Sequence, residues 1–324
     1  MAVRAGNFGA VDVKQTSESI RRRPVSISVD DLRSSDFDVV EFYKNHEAVS
    51  SALGIDLDAT IELARALPLG LRHEEHRDMR RHLARVLALG QRRLLPALPD
   101  LVRDHFAVLD KPGRHDLLTG ACKPFVNKCI ALLSGTALDP VQFDALSDIF
   151  DPGIGFRKRK QLEVRTKRLL EDARRQSSSD DPADAAYALA VAVMGRDALL
   201  GSLVFSLSAY LKTIRGTQIN SGQFSAVPSD TGVPYVWRVG VGAKTEGETF
   251  ECHLGQLVGA DDSARMKLFG MGAHTCLGKT HSLKIFEAMS DFLAQRTLTV
   301  KDVASSAIDK HVLKIPASFE IELE

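Results

Sequence analysis

The side chain in the most reactive setting is Cys276, within the stretch from Leu268 to Leu283, LFGMGAHTCLGKTHSL. There Phe269, Gly270, Gly272, His274, Cys276 and Gly278 form the pattern F-G-x-G-x-H-x-C-x-G. A cysteine acts as ligand or nucleophile only as a thiolate, so it needs N–H donors and a positive neighbour. Glycines at 270, 272 and 278 let the backbone curl close to the sulfur, because no Cβ intervenes. The apolar residues Leu283, Phe286, Met289 and Leu293 predict a helix after Gly278, with its N-terminal dipole aimed at the sulfur. Two plainer arrangements compete. One is a Gly-rich turn around a small buried cysteine. The other is a zinc site from Cys252, His253, His274 and Cys276, whose spacings are not those of structural zinc.

A second concentration of chemistry lies in Leu71 to Leu95, LRHEEHRDMRRHLARVLALGQRRLL. Met79, Leu83, Val86 and Leu87 fall on one helical face, and His76 and Arg80, four apart, share another. Two cationic donors on one face suit a pair of carboxylates. A solvated basic helix has the same pattern. A third lies inside the long apolar run Ala183 to Leu211, where Arg196 and Asp197 interrupt the hydrophobic sequence. They are either functional or a buried ion pair that compensates itself.

The loop around Cys276, together with Glu75-His76-x-x-x-Arg80-Arg81, resembles the cytochrome P450 family in its soluble, bacterial form. The resemblance implies haem b with Cys276 as the axial iron ligand. A thiolate ligand pushes electron density toward a distal oxygen. It further implies Phe269 over the sulfur, and His76, Arg80, Arg238 and His274 holding the haem propionates. The apolar run would be the helix that crosses the distal face. There Met194-Gly195-Arg196-Asp197-Ala198 stands where the family has A/G-G-x-D/E-T, so Gly195 would leave room beside the iron and Asp197 would keep the acid. The resemblance therefore marks Gly195, Arg196, Asp197 and Ala198 as the catalytic positions. Two departures matter. Ala198 replaces the alcohol of the acid–alcohol pair that relays protons to dioxygen. The Glu-x-x-Arg helix expected between Tyr210 and Cys276 is missing. The matches lie upstream, at Glu62/Arg65, Glu74/Arg77 and Glu171/Arg174.

Composition sets wider limits. The chain has 324 residues, 42 basic and 42 acidic, and 44% hydrophobic residues, which gives no sign of a nucleic-acid partner. Four cysteines in this length are no disulfide framework and fit a reducing cytoplasm. The first two dozen residues lack an apolar signal or anchor segment, so no membrane association is expected. Residues 1–30 read as a loose lead-in, with Arg21–Arg23 a solvated charge run, and residues 31–324 as a single domain. The element pattern predicts a compact, mainly α fold with a small β portion. Helix is expected over much of Val39 to Leu67. A second helix should end in Gly90 to Pro99 on Gly and Pro signals. The apolar segment His115 to Leu133 should pack Cys122 and Cys129. A basic helix runs from Arg157 to Arg175, then a Ser-rich linker Gln176 to Asp180, then a helix capped by Asp181-Pro182. Strands are expected in Val233 to Leu254, with a turn at Thr245 to Glu248, and in short segments after Thr297.

The combined reading is a haem-thiolate monooxygenase acting on a small organic substrate in a bacterial biosynthetic pathway, served by a ferredoxin or reductase. The missing alcohol favours a peroxide-using enzyme or a haem-dependent dehydration or rearrangement. The missing Glu-x-x-Arg favours a degenerate partner subunit. A shortened fold that exposes apolar surface predicts a homodimer.

Overall fold

The computed structural model describes residues 25–34, 36–136, 146–151, 153–177, 181, 183–215, 219–220, 224–242, 245–258 and 260–324. Residues 1–24, Ser178–Asp180 and Pro182, on which sequence expectations fell, lie outside these residues.

The architecture is helical with three small sheets, as expected. The helices are α1 (Phe42–Leu53), α2 (Asp58–Arg65), α3 (His73–Phe106), α4 (Lys123–Ser134), α5 (Phe156–Gln176), α6 (Ala183–Thr213), the single turn α7 (Asp262–Arg265) and α8 (Lys279–Ala294). The strands are β1 (Val25–Ile27), β2 (Phe37–Val39), β3 (Gly113–Asp116), β4 (Ile219–Asn220), β5 (Tyr235–Gly240), β6 (Thr249–His253), β7 (Thr297–Leu298), β8 (Val300–Lys310) and β9 (Leu313–Leu323). They form sheets of order β1-β6-β5-β2, β3-β9-β8 and β4-β7. β1 and β6 pair in parallel, Val25 opposite Phe250 and Ile27 opposite Cys252, whereas the other strand pairs among the described residues are antiparallel. Val25–Ile27, placed in the lead-in by sequence, is thus part of the fold.

The helix expected across 39–67 divides at Gly54, which caps α1 in the left-handed conformation at φ 60°. The larger correction concerns α3. It does not stop between Gly90 and Pro99 but runs to Phe106. Pro96 and Pro99 sit on its exposed side, so the carbonyls they leave unpaired meet water, while Leu94, Leu98, Val102 and Phe106 carry the buried stripe onward. Gly90 is a packing position rather than a terminator. A Cβ there would come within 2.1 Å of the Leu133 carbonyl oxygen, so only glycine lets α3 cross α4 this closely.

Helix α6 is long and apolar enough to cross a membrane, but 78% of its most apolar window is buried inside the fold. It packs against α3, α4, α5, β8 and β9 and forms the middle of the main core. Helix α5 has only a narrow apolar stripe, Leu162, Leu169, Leu170 and Ala173. Two charged residues turn inward to fix it. Glu163 accepts hydrogen bonds from the free backbone N–H groups of Ala59 and Thr60 at the start of α2, at 3.0 and 2.8 Å. Arg159 donates to the Ile154 carbonyl, His46 Nδ1 and Asn45.

The tail forms a long hairpin, β8 and β9, rather than the short strands expected. In β8 only Val300 and Val303 are buried, and the ASSAID run that follows is mostly exposed with no apolar/polar alternation, which hides strand character from a hydrophobic-alternation reading.

Candidate functional site

The loop that carries Cys276 is built from two tight turns. Gly270 (φ 71°) and Gly272 (φ 68°) adopt left-handed conformations that side chains disfavour. Cys276 N–H donates to the Phe269 carbonyl at 2.7 Å, which closes the loop. Gly278 serves differently from its sequence expectation. Its φ is −79°, and a Cβ would lie 3.6 Å from Cys276 Sγ, an ordinary contact, so the sulfur does not demand glycine there. Helix α8 begins immediately afterwards, as expected.

Around the thiol the environment is mixed. Packing raises its pKa, because the charged form loses water. The backbone N–H groups of Gly278 and Lys279, the Arg80 guanidinium and the Lys279 ammonium all pull the other way. Lys279 Nζ lies 5.8 Å from the centre of the Phe269 ring. This donor set is of the kind a thiolate needs, and a metal bound there would favour its deprotonation further.

Beside the loop, the predicted cations converge. Arg80 on α3 donates from Nη1 to the Thr275 carbonyl at 2.8 Å. The rings of His76 and His274 stack with centroids 4.0 Å apart. Arg238 on β5 is buried and donates to the Trp237 carbonyl. Burial and the neighbouring cations push the His274 pKa down to about 3, and His76 is lowered for the same reasons. The carboxylate within electrostatic reach, Asp38, is already ion-paired with Arg72 at 3.3 Å. His76 Nε2 is buried without a hydrogen-bond partner. Four donors thus gather at one place, one of them with a buried nitrogen left unanswered. The residues fit a ligand with two carboxylates next to a metal held by Cys276. Arg81, which matches the family pattern, pairs instead with Asp78 on the surface.

Among the described residues no three His, Cys, Asp or Glu side chains are gathered closely enough to hold a metal ion. Cys252, His253, His274 and Cys276 therefore do not form a four-ligand site.

On α6, Arg196 and Asp197 are buried and paired at 2.6 Å, and Arg196 also donates to Asn127 of α4 at 3.2 Å. The space left by Gly195 is taken up by α4, since a Cβ would come 3.0 Å from Ile130 Cδ1. Gly195 thus lies close against α4 while remaining half-buried. Met194, Gly195 and Ala198, within one turn of each other on the same face, are only half-buried within an otherwise buried stretch. That face is the accessible one.

Sequence reasoning missed Arg265. No Glu-x-x-Arg helix supports the Cys276 loop from behind, and Arg265 of α7 holds the segment that takes its place. The buried guanidinium donates to the Val227 carbonyl (3.2 Å) and Ser225 Oγ (3.3 Å) and pairs with Asp262. Ser206 and Ser202 of α6 accept from the N–H groups of Ser229, Asp230 and Gly232. A lone Arg in DDSARMK carries no periodic or motif signal, so only its burial reveals it.

No known family model matches the chain, and no curated protein is similar to it in sequence. Solved structures are. P450BioI in complex with an acyl carrier protein bearing hexadec-9Z-enoic acid is 13% identical, with a TM-score of 0.68 over 92% of this chain and 90% of that one. P450 RauA, complexed with a biosynthetic intermediate of aurachin RE, is 14% identical, with a TM-score of 0.67 over 91% and 88%. A thermophilic cytochrome P450 from Sulfolobus tokodaii is 14% identical, with a TM-score of 0.65 over 96% and 99%. The fold of this chain is that of the cytochromes P450, as the Cys276 loop led one to expect.

Proposed function

We propose that this chain is a haem-thiolate enzyme that oxidises a small organic substrate. The observation that carries the reading is the convergence of His76, His274, Arg80 and Arg238 beside Cys276, with the His76 Nε2 position left without a partner. Cys276 would ligate the iron, the two guanidiniums and two imidazoles would hold the propionates, and Phe269 would shield the sulfur. When bound, the haem supplies the oxidising chemistry. The chain's part is to offset the cost of ionising the sulfur through Gly278, Lys279 and Arg80 and to present Met194 and Ala198 to the substrate. A cytoplasmic setting and a redoxin-type electron donor belong to the same reading. So does a small-molecule substrate from a biosynthetic pathway, free or carried on a protein. One structural neighbour is itself bound to an acyl carrier protein.

The absorption spectrum of the reduced, carbon monoxide-treated protein tests it. A strongly red-shifted Soret band that vanishes in Cys276→Ser supports the proposal. A folded, colourless protein that takes up no haemin overturns it.

A second form of the reading has its own support. Asp197 is tied to Arg196, and Ala198 has no hydroxyl, so neither half of the usual proton relay is free. This favours an enzyme driven by peroxide, or one that rearranges its substrate without an oxidant. Turnover that strictly requires NAD(P)H and a reductase counts against it.

A further inference from the structure

Helix α5 carries a face that its own fold does not use. Between Phe156 and Leu170 the one acid, Glu163, is turned inward to α2, and Arg159 is turned inward to α1. Arg157, Lys158, Lys160, Lys167 and Arg168 are exposed on the outer side, with no acid among them. The chain as a whole is neutral, so the balancing charge lies elsewhere.

Three features show that stability does not account for this arrangement. The first turn is entirely cationic apart from Phe156, with no acid, at the end where the helix dipole is positive and cations are disfavoured. Arg157 and Lys160 are like charges three residues apart on one surface. Two apolar side chains stand exposed among them, Phe156 at 47% and Val164 at 63%, with Lys160 over the Phe156 ring. A row of cations around a few apolar knobs matches an acidic protein surface. Two knobs are too little apolar area to seat a helix in a lipid interface.

Position decides which acidic protein. Helix α5 packs on α2 and α6, and α6 carries the accessible Met194 and Ala198 face. The Cys276 loop, where electrons would be delivered, is held instead by α3 and α8. We infer that the outer face of α5 docks a small acidic carrier protein that brings the tethered substrate to the α6 side. This rests on the proposed function and names the substrate's form.

The probe is an acyl carrier protein with its phosphopantetheine arm, bare and loaded with a hexadecenoyl chain, titrated calorimetrically into the full chain with and without haem. Wild type should bind it, with affinity falling steeply as salt rises. The triple variant Lys158→Glu, Lys160→Glu, Arg168→Glu should bind at least tenfold more weakly, with an unchanged carbon monoxide spectrum. Lys158→Glu and Lys160→Glu place acids near the positive helix end, and the double variant of these two alone, whose Tm should be no lower, keeps the test independent of folding. Failure of the carrier to bind, equal binding by the variant, or release of an acidic ferredoxin instead overturns the inference. A colourless protein that still shows α5-dependent carrier binding would overturn the haem reading and leave the docking surface standing.

Discussion

The imidazoles of His76 and His274 lie face to face, 4.0 Å between centroids and tilted by 34°, with the guanidiniums of Arg80 and Arg238 close enough to depress the pKa of both. Neither ring therefore carries a proton at neutral pH, and the pair can be stacked without repulsion. An anion placed between the four groups would reverse this balance.

Haem affinity should depend on that cluster in steps. A charge-assisted hydrogen bond contributes about 1.5–3 kcal/mol, so Arg238→Ala or His274→Ala should weaken haem binding roughly ten- to a hundredfold. Arg80→Ala should cost more, because it also releases the Thr275 carbonyl. Transfer of haem to apomyoglobin measures each loss rate. Unchanged rates in all three variants would show that the carboxylates bind elsewhere.

The paired charges on α6 should be costly to separate. Asp197→Asn removes the counter-charge of a buried guanidinium and should destabilise the fold by about 3 kcal/mol. Arg196→Met combined with Asp197→Leu should lose clearly less, since no charge is then left buried. Urea unfolding of the two variants compares them.

Ala198→Thr restores the missing hydroxyl on the accessible face. If the proton relay is what the wild type lacks, the variant should gain severalfold in reductase-driven turnover, with peroxide-driven turnover unchanged. Product formation under the two regimes gives the ratio.

Arg265→Ala should cost about 1–3 kcal/mol by leaving the Val227 carbonyl and Ser225 hydroxyl without their donor. It should also shorten haem retention, whereas Ser225→Ala should do so only slightly. Thermal melts with and without haem separate the two effects.

Acid should weaken the joint between α1 and α5. His46 Nε2 faces the Ile149 carbonyl at 3.0 Å as a donor, and Nδ1 accepts from Arg159, so the folded ring is neutral and its pKa is lowered, chiefly by burial. The unfolded chain takes up this proton near pH 6.5 and the folded chain does not. This contribution is therefore complete above about pH 6.5 and is lost as pH falls below it. His46→Gln should flatten part of the decline in Tm between pH 7 and pH 5.

The fold and the cation cluster were legible because they rest on close spacings: a ten-residue loop, and two donors one helical turn apart. Gly195 and Gly90 were not. Their roles are set by Ile130 and Leu133 on a neighbouring helix, which no local pattern encodes. The end of α3 was misjudged because proline signals assume a buried backbone, and these prolines face water. Arg265 and the inward-turned Glu163 act across long stretches of chain, where one sequence gives no pairing information.

The parallel pairing of β1 with β6 also sets a schedule for the living cell. Val25–Ile27 has no partner until Phe250–Cys252 has been made, and Asp30 meets Lys267 only later still. At a translation rate of about 5–20 residues per second, this opening segment waits on the order of tens of seconds. The Cys276 loop, next to Lys267, is made later again, so this strand pairing and the loop are completed in the same late interval of synthesis.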